Sequence, residues 1–461
     1  MRCHAESSTT GYLYYNSPSG DLPAPGNEIR NARYYEYVNR FRLLLCVTAG
    51  LALAQPAADP AAVARKAFDL LLGGKYADLG PMFTPEMQKS LPAEALAKLG
   101  AQIQSFGAMG KVDAPQVTKS GSNTIVVFPT QFEKQNINFR YIVNAGGQVA
   151  GMFLLPGETP WQRPAYSKPD TFTERPVTIG TDEWKLPGAL TVPNGPGPFP
   201  AVVLVHGSGP NNRDETVGGT RVFRDLAEGL SSRGIVVLRY DKRTLQYGPR
   251  MRAIRDMTIH DETGEDAVRA AALLRTQKEV DPKRVYVLGH SLGGYVAPRI
   301  AEEDGQLAGL ILLAANARHL EDLILEQAEY LKVPEKDMEG IRAAVKKAKA
   351  LEPADADAPP VLNMPVTYLL DLKAYDPVAL AKRIGVPMLI LQGERDYQVT
   401  MKDFALWKAG LANAKGVVFH SYPALNHLFV AGEGKSTDAE YRKPAHVAPE
   451  VIDEIAKWLG K

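Results

Sequence analysis

Residues 285–303 read VYVLGHSLGGYVAPRIAEE, and the stretch changes character at its centre. Its first part is a run of β-branched and aliphatic residues that predicts a buried strand. Its second part carries apolar residues at helical spacing. Between them stands Gly289-His290-Ser291-Leu292-Gly293, a G-x-S-x-G pattern. A Ser on a sharp strand-to-helix turn has its hydroxyl exposed above a sheet, and the flanking glycines remove side chains that would collide there. The expectation is a nucleophile elbow at Ser291.

The rest of the C-terminal half is organised around that unit. AVVLVHG (201–207), IVVLRYD (235–241), AGLILLAA (308–315), PMLILQG (387–393) and VVFHSY (417–422) are, with 285–291, near-continuous runs of Val, Ile and Leu. Such runs predict strands buried on both faces of a mainly parallel sheet. Amphipathic helices separate them, as in RVFRDLAEGLSSRG, with Val222, Phe223, Leu226 and Leu230 on one side. Two polar-flanked strands, around 171–179 and 184–192, precede the series and bring the sheet to eight. The order predicts a doubly wound α/β domain over 170–461, with function at the carboxyl ends of the strands.

Ser at its free pKa is a weak nucleophile and needs a base with an orienting acid. The loops after the last two strands offer both: Glu394-Arg395-Asp396 after PMLILQG, and Asn426-His427 after VVFHSY. Ser291, Asp396 and His427 therefore stand in the chain order that this architecture uses. Glu394 and Asp403 compete with Asp396 for the acid. An oxyanion needs backbone N–H donors. Leu292, the residue after the nucleophile, supplies one, and the loop His206-Gly207-Ser208-Gly209-Pro210 supplies the other, from Ser208 in preference to Gly209. Asp241-Lys242-Arg243 reads as a set of salt bridges at a strand end, and Lys346, Lys347 and Lys349 as a solvated helix face. No phosphate loop, dinucleotide fingerprint or zinc spacing is present in the sequence.

These residues give the chain its resemblance. HGSGP, DKR, GHSLGG, LQGERDYQVT and NHLF match in order the α/β-hydrolase fold, in its bacterial secreted esterase branch that is dienelactone-hydrolase-like. True dienelactone hydrolases carry Cys where this chain has Ser291. The resemblance implies a serine hydrolase of carboxylic esters that needs no metal and no cofactor. Thioester or small-peptide cleavage is the alternative within enzymes, because the same triad attacks any activated acyl carbon. An idle hydrolase fold used for binding is the alternative outside them. Residues 316–385 are far longer than one crossover requires. They predict a small helical cap whose Leu323, Tyr330 and Tyr368 hold the acyl or aryl group, which favours short to medium esters.

Residues 60–155 predict a small α+β domain: one helix in AAVARKAFDLLL, another after Pro92, and strands TIVVFP, NINFRYIV and VAGMFLL. They resemble a domain of unknown function that precedes some of these enzymes. The Pro-rich stretch 156–169 predicts a linker. Ahead of all this, VNRFRLLLCVTAGLALAQPA has the basic flank, short apolar run and A-x-A exit of a signal peptide at 38–54, cut after Ala54. Residues 1–37 are expected to be disordered or untranslated, and the location secreted or periplasmic without a stable membrane anchor. Both cysteines, Cys3 and Cys46, precede the cut.

The chain of 461 residues is 45% hydrophobic and 23% charged, enough for two or three domains. With 53 Lys+Arg against 52 Asp+Glu, its net charge of +1 gives no overall field for nucleic acid or an anionic membrane. A small-molecule ester is the expected partner, and the oligomeric state is left open.

Overall fold

A computed structural model describes residues 59–157, 161–180 and 183–460. The expectations for residues 1–54 lie outside the described residues. Two compact units divide near residue 158.

In the first unit, helices α1 (Pro60–Leu72), α2 (Tyr76–Leu79), α3 (Pro85–Ser90) and α4 (Ala93–Gln104) precede strands β1 (Met109–Val112), β2 (Gln116–Ser120), β3 (Asn123–Phe132), β4 (Asn136–Val143) and β5 (Val149–Pro156). Their pairings are all antiparallel. Alternate residues of β3 and β4 face inward, and Phe128, Phe139 and Tyr141 pack with Ala64, Ala67, Phe68 and Leu71 of α1. The Phe68 and Phe128 rings stack at 4.8 Å. The sequence reading had no strands at β1 and β2. Both are almost wholly exposed, so they carry no alternation to read.

The second unit opens with β6 (Phe172–Ile179), β7 (Leu186–Pro193) and β8 (Phe199–Val205), then a ribbon of β9 (Thr216–Val217) and β10 (Thr220–Arg221). Helix α5 (Val222–Ser231), β11 (Val236–Tyr240), the short α6 (Arg243–Gln246) and α7 (Gly248–Met251), and α8 (Glu265–Arg275) lead to β12 (Val280–His290) and α9 (Leu292–Asp304). After β13 (Gly309–Leu313) come α10 (Leu320–Tyr330), α11 (Glu335–Ala350), α12 (Val366–Lys373) and α13 (Pro377–Ile384). The chain ends with β14 (Met388–Gly393), α14 (Met401–Gly410), β15 (Val417–Tyr422), α15 (Asp438–Tyr441) and α16 (Pro449–Leu459).

Eight strands form one sheet in the order β15-β14-β13-β12-β8-β11-β7-β6. The pairings from β15 to β11 are parallel, and β7 and β6 add antiparallel. Period-2 geometry splits each central strand between two cores. Ala201, Val203 and Val205 of β8 join Ala267, Ala270 and Leu274 of α8 and Tyr295, Val296 and Ile300 of α9. Val202 and Leu204 join Phe223, Leu226 and Leu230 of α5 and Ile452 and Ile455 of α16 on the other face. VVFHSY departs from its predicted double burial. It is the edge strand β15, and its residues alternate between exposed and partly covered until Tyr422.

The predicted linker is also different. From Trp161 onward the chain is strapped to α5: the indole N–H of Trp161 donates to Asp225 Oδ1 at 2.9 Å, and Arg163 and Ser167 both donate to Glu228 Oε2 at 2.6 Å. Asp225 and Glu228 are buried, and these bonds satisfy them. No helix among the described residues is long and apolar enough to cross a membrane.

Candidate active site

Strand β12 stops at His290 and α9 starts at Leu292, which leaves Ser291 alone on the turn. Its φ of 53° and ψ of −120° are strained for a residue with a Cβ. The turn closes because its neighbours are bare. A Cβ on Gly293 would lie 2.2 Å from Val205 O, so only glycine lets α9 start against the end of β8. The Ser291 amide donates to Leu313 O at 2.8 Å, which fixes the elbow to the neighbouring strand.

Asp396 and His427 meet at that end of the sheet. His427 Nδ1–H donates to Asp396 Oδ2 at 2.7 Å, and both side chains are buried. The carboxylate is held by three more donors: Gln398 and Val399 amides on Oδ1 at 2.8 and 3.0 Å, and Gln392 Nε2 on Oδ2 at 3.0 Å. With Nδ1 committed, Nε2 is the nitrogen left for chemistry. The imidazole is delivered to the elbow by its neighbour. His290 Nε2–H donates to the His427 carbonyl at 3.0 Å, and the two rings lie 4.8 Å apart. The competing acids are occupied elsewhere. Asp403 accepts from the amides of Ala317 and Arg318 and from the Arg318 guanidinium, and Glu394 accepts from Ser421 Oγ.

The loop after β8 lies against the same turn. A Cβ on Gly207 would be 3.1 Å from Ser291 Cβ, so the peptide of Gly207 and Ser208 runs beside the nucleophile. Asn211 Nδ2 faces the carbonyls of Gly207, Ser208 and Gly209 at 3.2, 3.0 and 3.4 Å, which turns these oxygens to one side and the amides of Ser208 and Gly209 to the other. Among the described residues, neither the Ser208 nor the Leu292 amide donates to another protein group. His206, from the same loop, is packed between Phe223 and Tyr240, and burial pulls its imidazole down to about 4.

A second His–carboxylate pair, absent from the sequence reading, underlies the first. Glu215 Oε1 accepts the Gly207 amide at 2.7 Å, and its Oε2 lies 3.0 Å from His290 Nδ1. Both residues are buried. Burial opposes each charge, but the opposite charge beside it prevails: Glu215 falls below the usual carboxylate range and His290 rises above the usual imidazole range. The pair ties the Ser208 loop, the elbow and the His427 loop together. Its sequence signal was thin: one carboxylate in a polar loop, with no periodicity to mark it as buried.

The helical insertion divides into two parts. Helix α10 docks on the loop that carries Asp396, through Gln327 Nε2 to Gln398 O at 3.0 Å and through the Tyr330 ring stacked on Tyr397 at 4.7 Å. Leu323, on the same helix, is buried. Helices α12 and α13 instead contribute Tyr368, Leu372 and Leu380 to the core beside α9. Tyr368 corrects its expectation: it packs in the core beside α9, and its hydroxyl is spent on Glu262 Oε2 at 2.5 Å. It belongs to the core, drawn there by a buried carboxylate that needs a donor. Among the described residues, no group of three or more His, Cys, Asp or Glu is placed to hold a metal ion.

Comparison with known proteins agrees with this architecture. A sequence profile described as "Alpha/beta hydrolase family" matches residues 202–434, and one described as a protein of unknown function, DUF3887, matches residues 64–152. Esterase EstD of Thermotoga maritima is 42% identical over 340 residues, which cover 72% of this chain and 79% of the relative. Among solved structures, an esterase of Pyrococcus furiosus has a TM-score of 0.41 at 17% identity, over 66% of this chain and 96% of that one. Est1E of Butyrivibrio proteoclasticus has a TM-score of 0.42 at 19% identity, over 62% and 99%.

Proposed function

The chain belongs to the alpha/beta hydrolase family, and from that premise we propose that residues 170–461 are a serine esterase for carboxylic esters of short to medium acyl or aryl type. One observation carries the reading: the Asp396–His427 contact of 2.7 Å, brought by His290 against the elbow that holds Ser291. The identity to an esterase of Thermotoga maritima supports the choice of esters.

In this mechanism Ser291 Oγ attacks the acyl carbon while its proton passes to His427 Nε2. The carbonyl π pair moves onto oxygen, where the amides of Ser208 and Leu292 receive the charge. One such donor is worth about 10²–10³ in kcat. Asp396 keeps His427 in the tautomer that can accept, and it stabilises the imidazolium that forms. Collapse breaks the ester C–O bond, and the departing alkoxide takes the proton from His427. Water then repeats the sequence on the acyl-enzyme, releasing the acid. Leu323 and Tyr330 are proposed as the apolar wall, which the docking of α10 on the Asp396 loop supports.

A fluorophosphonate should label the wild-type protein and leave Ser291→Ala unlabelled. A panel of p-nitrophenyl esters from acetate to laurate, with a thioester and a peptide amide, sets the class. Ester turnover that survives in Ser291→Ala overturns the reading, and a faster thioester replaces it. Export is proposed as well, on the signal-peptide pattern of residues 38–54. N-terminal sequencing of the native protein should start at Gln55, and a mature chain that retains residues 38–54 refutes it.

A further inference from the structure

Lys242, two residues past the end of β11, is 2% exposed, and a buried ammonium must be paired. Its Nζ is 2.7 Å from Glu262 Oε1, and the other oxygen of Glu262 accepts the Tyr368 hydroxyl. That much is the strand-end salt bridge expected of the DKR run. The remaining contact is different: Nζ donates to the carbonyl of Gly207 at 2.9 Å, in the loop beside Ser291.

Gly207 C=O and Ser208 N–H belong to one planar trans peptide, so they point in opposite directions. An ammonium that holds the oxygen on the inner side therefore fixes the N–H on the outer side. Asn211 reinforces the choice by gathering the carbonyls of Gly207, Ser208 and Gly209. A charge-assisted bond to a carbonyl also polarises its own peptide, which makes the N–H of that unit a stronger donor. From this we infer that Lys242, locked by Glu262 and Tyr368, is a positioning residue that orients and polarises the Gly207–Ser208 peptide as an oxyanion donor. The inference rests on the esterase reading and deepens it, because it reaches from α12 to the reacting oxygen through four groups in contact: Tyr368, Glu262, Lys242 and the peptide.

Lys242→Met alone would leave Glu262 buried without its counter-ion. The test is therefore the double variant Lys242→Met/Glu262→Gln, in which the Gln carbonyl still serves Tyr368, with Tyr368→Phe as a milder probe that leaves the ammonium in place. Each is assayed on p-nitrophenyl butyrate, per active site titrated with a fluorophosphonate, and for inhibition by butylboronic acid, whose tetrahedral adduct on Ser291 places an oxygen at the same donors. The double variant should lose about 10–100-fold in kcat, a fraction of the loss of a whole donor. KM should stay within about twofold, because the charge forms only in the transition state. The boronate Ki should rise by the factor that kcat falls, and Tyr368→Phe should move both about 2–5-fold in the same direction.

A folded double variant with undiminished kcat refutes the inference. So does a loss of kcat that leaves the boronate Ki unchanged. If the double variant does not fold, Tyr368→Phe decides by the same two readouts. Wild-type protein that neither turns over the ester nor binds the boronate removes the esterase reading itself, whereas an active wild type beside an unaffected variant removes only the role of Lys242.

Discussion

Glu215→Gln isolates the buried pair beneath the nucleophile, because the Gln carbonyl can still accept the Gly207 amide while the negative charge is gone. In the wild type the Glu215 contribution is present above its ordinary pKa of 4.5, and is lost as pH falls through its lower folded value. The His290 contribution is present below the ordinary imidazole value of 6.5, and is lost as pH rises through its higher folded value. The pair therefore stabilises most between those two ordinary values. In the variant His290 has no carboxylate, and burial keeps it neutral. Breaking a buried pair costs 3–5 kcal/mol when a charge is stranded, and since His290 can shed its proton the expected loss is about 3 kcal/mol at pH 5.5. The difference should shrink as pH rises through the raised folded value of His290. All four tryptophans, Trp161, Trp184, Trp407 and Trp458, lie in the hydrolase unit, so their fluorescence follows its unfolding without a signal from residues 59–157. With a urea m-value of about 3 kcal/mol/M, the midpoint should drop by about 1 M at pH 5.5 and by progressively less as the pH is raised. A midpoint difference that does not fall with rising pH refutes the coupling.

Other perturbations read separate parts of the site. Asp396→Asn should lower kcat about 10⁴-fold with little change in KM, since the amide favours the wrong His427 tautomer, and steady-state kinetics on a p-nitrophenyl ester checks it. Gly293→Ala forces a Cβ to 2.2 Å from Val205 O and should abolish soluble expression or lower Tm by more than about 5 °C in a thermal melt. Leu323→Ala and Tyr330→Ala should change the kcat/KM ratio between butyrate and octanoate esters more than about threefold, and a uniform loss across chain lengths speaks against a wall formed by α10.

The central strands were legible because burial on both faces leaves a direct trace in Val, Ile and Leu. The elbow was legible because its glycines, its Ser and the change of period coincide within a few residues. The edge was less so: VVFHSY is apolar enough to pass for an interior strand, and only its place beside β14 shows that it borders the sheet. Position within the insertion was harder still. Helical spacing gives the two helices before residue 353 but not α12 and α13, and it does not say which side of the sheet each one covers, so Tyr368 lies in the core where a wall is expected. Glu215 and Lys242 were missed as parts of the site because their partners, His290 and Gly207, are distant in sequence and no local pattern joins them.

Helices α10 to α13 enter and leave between β13 and β14, two strands that are direct neighbours in the sheet. The sheet closes across that gap without them: Leu310 to Leu313 pair in register with Met388 to Leu391, whatever the chain does in between. Evolution can thus treat much of this segment as an exchangeable cassette, lengthened, shortened or replaced while the strands that present Ser291, Asp396 and His427 keep their places. The part of the cassette least free to vary is α12, since Tyr368 reaches back to Glu262. Drift in this lineage should therefore be fastest through α11, slower through α10, which rests on the Asp396 loop, and slowest through α12, and a library that grafts foreign helices should keep its second junction ahead of Val366.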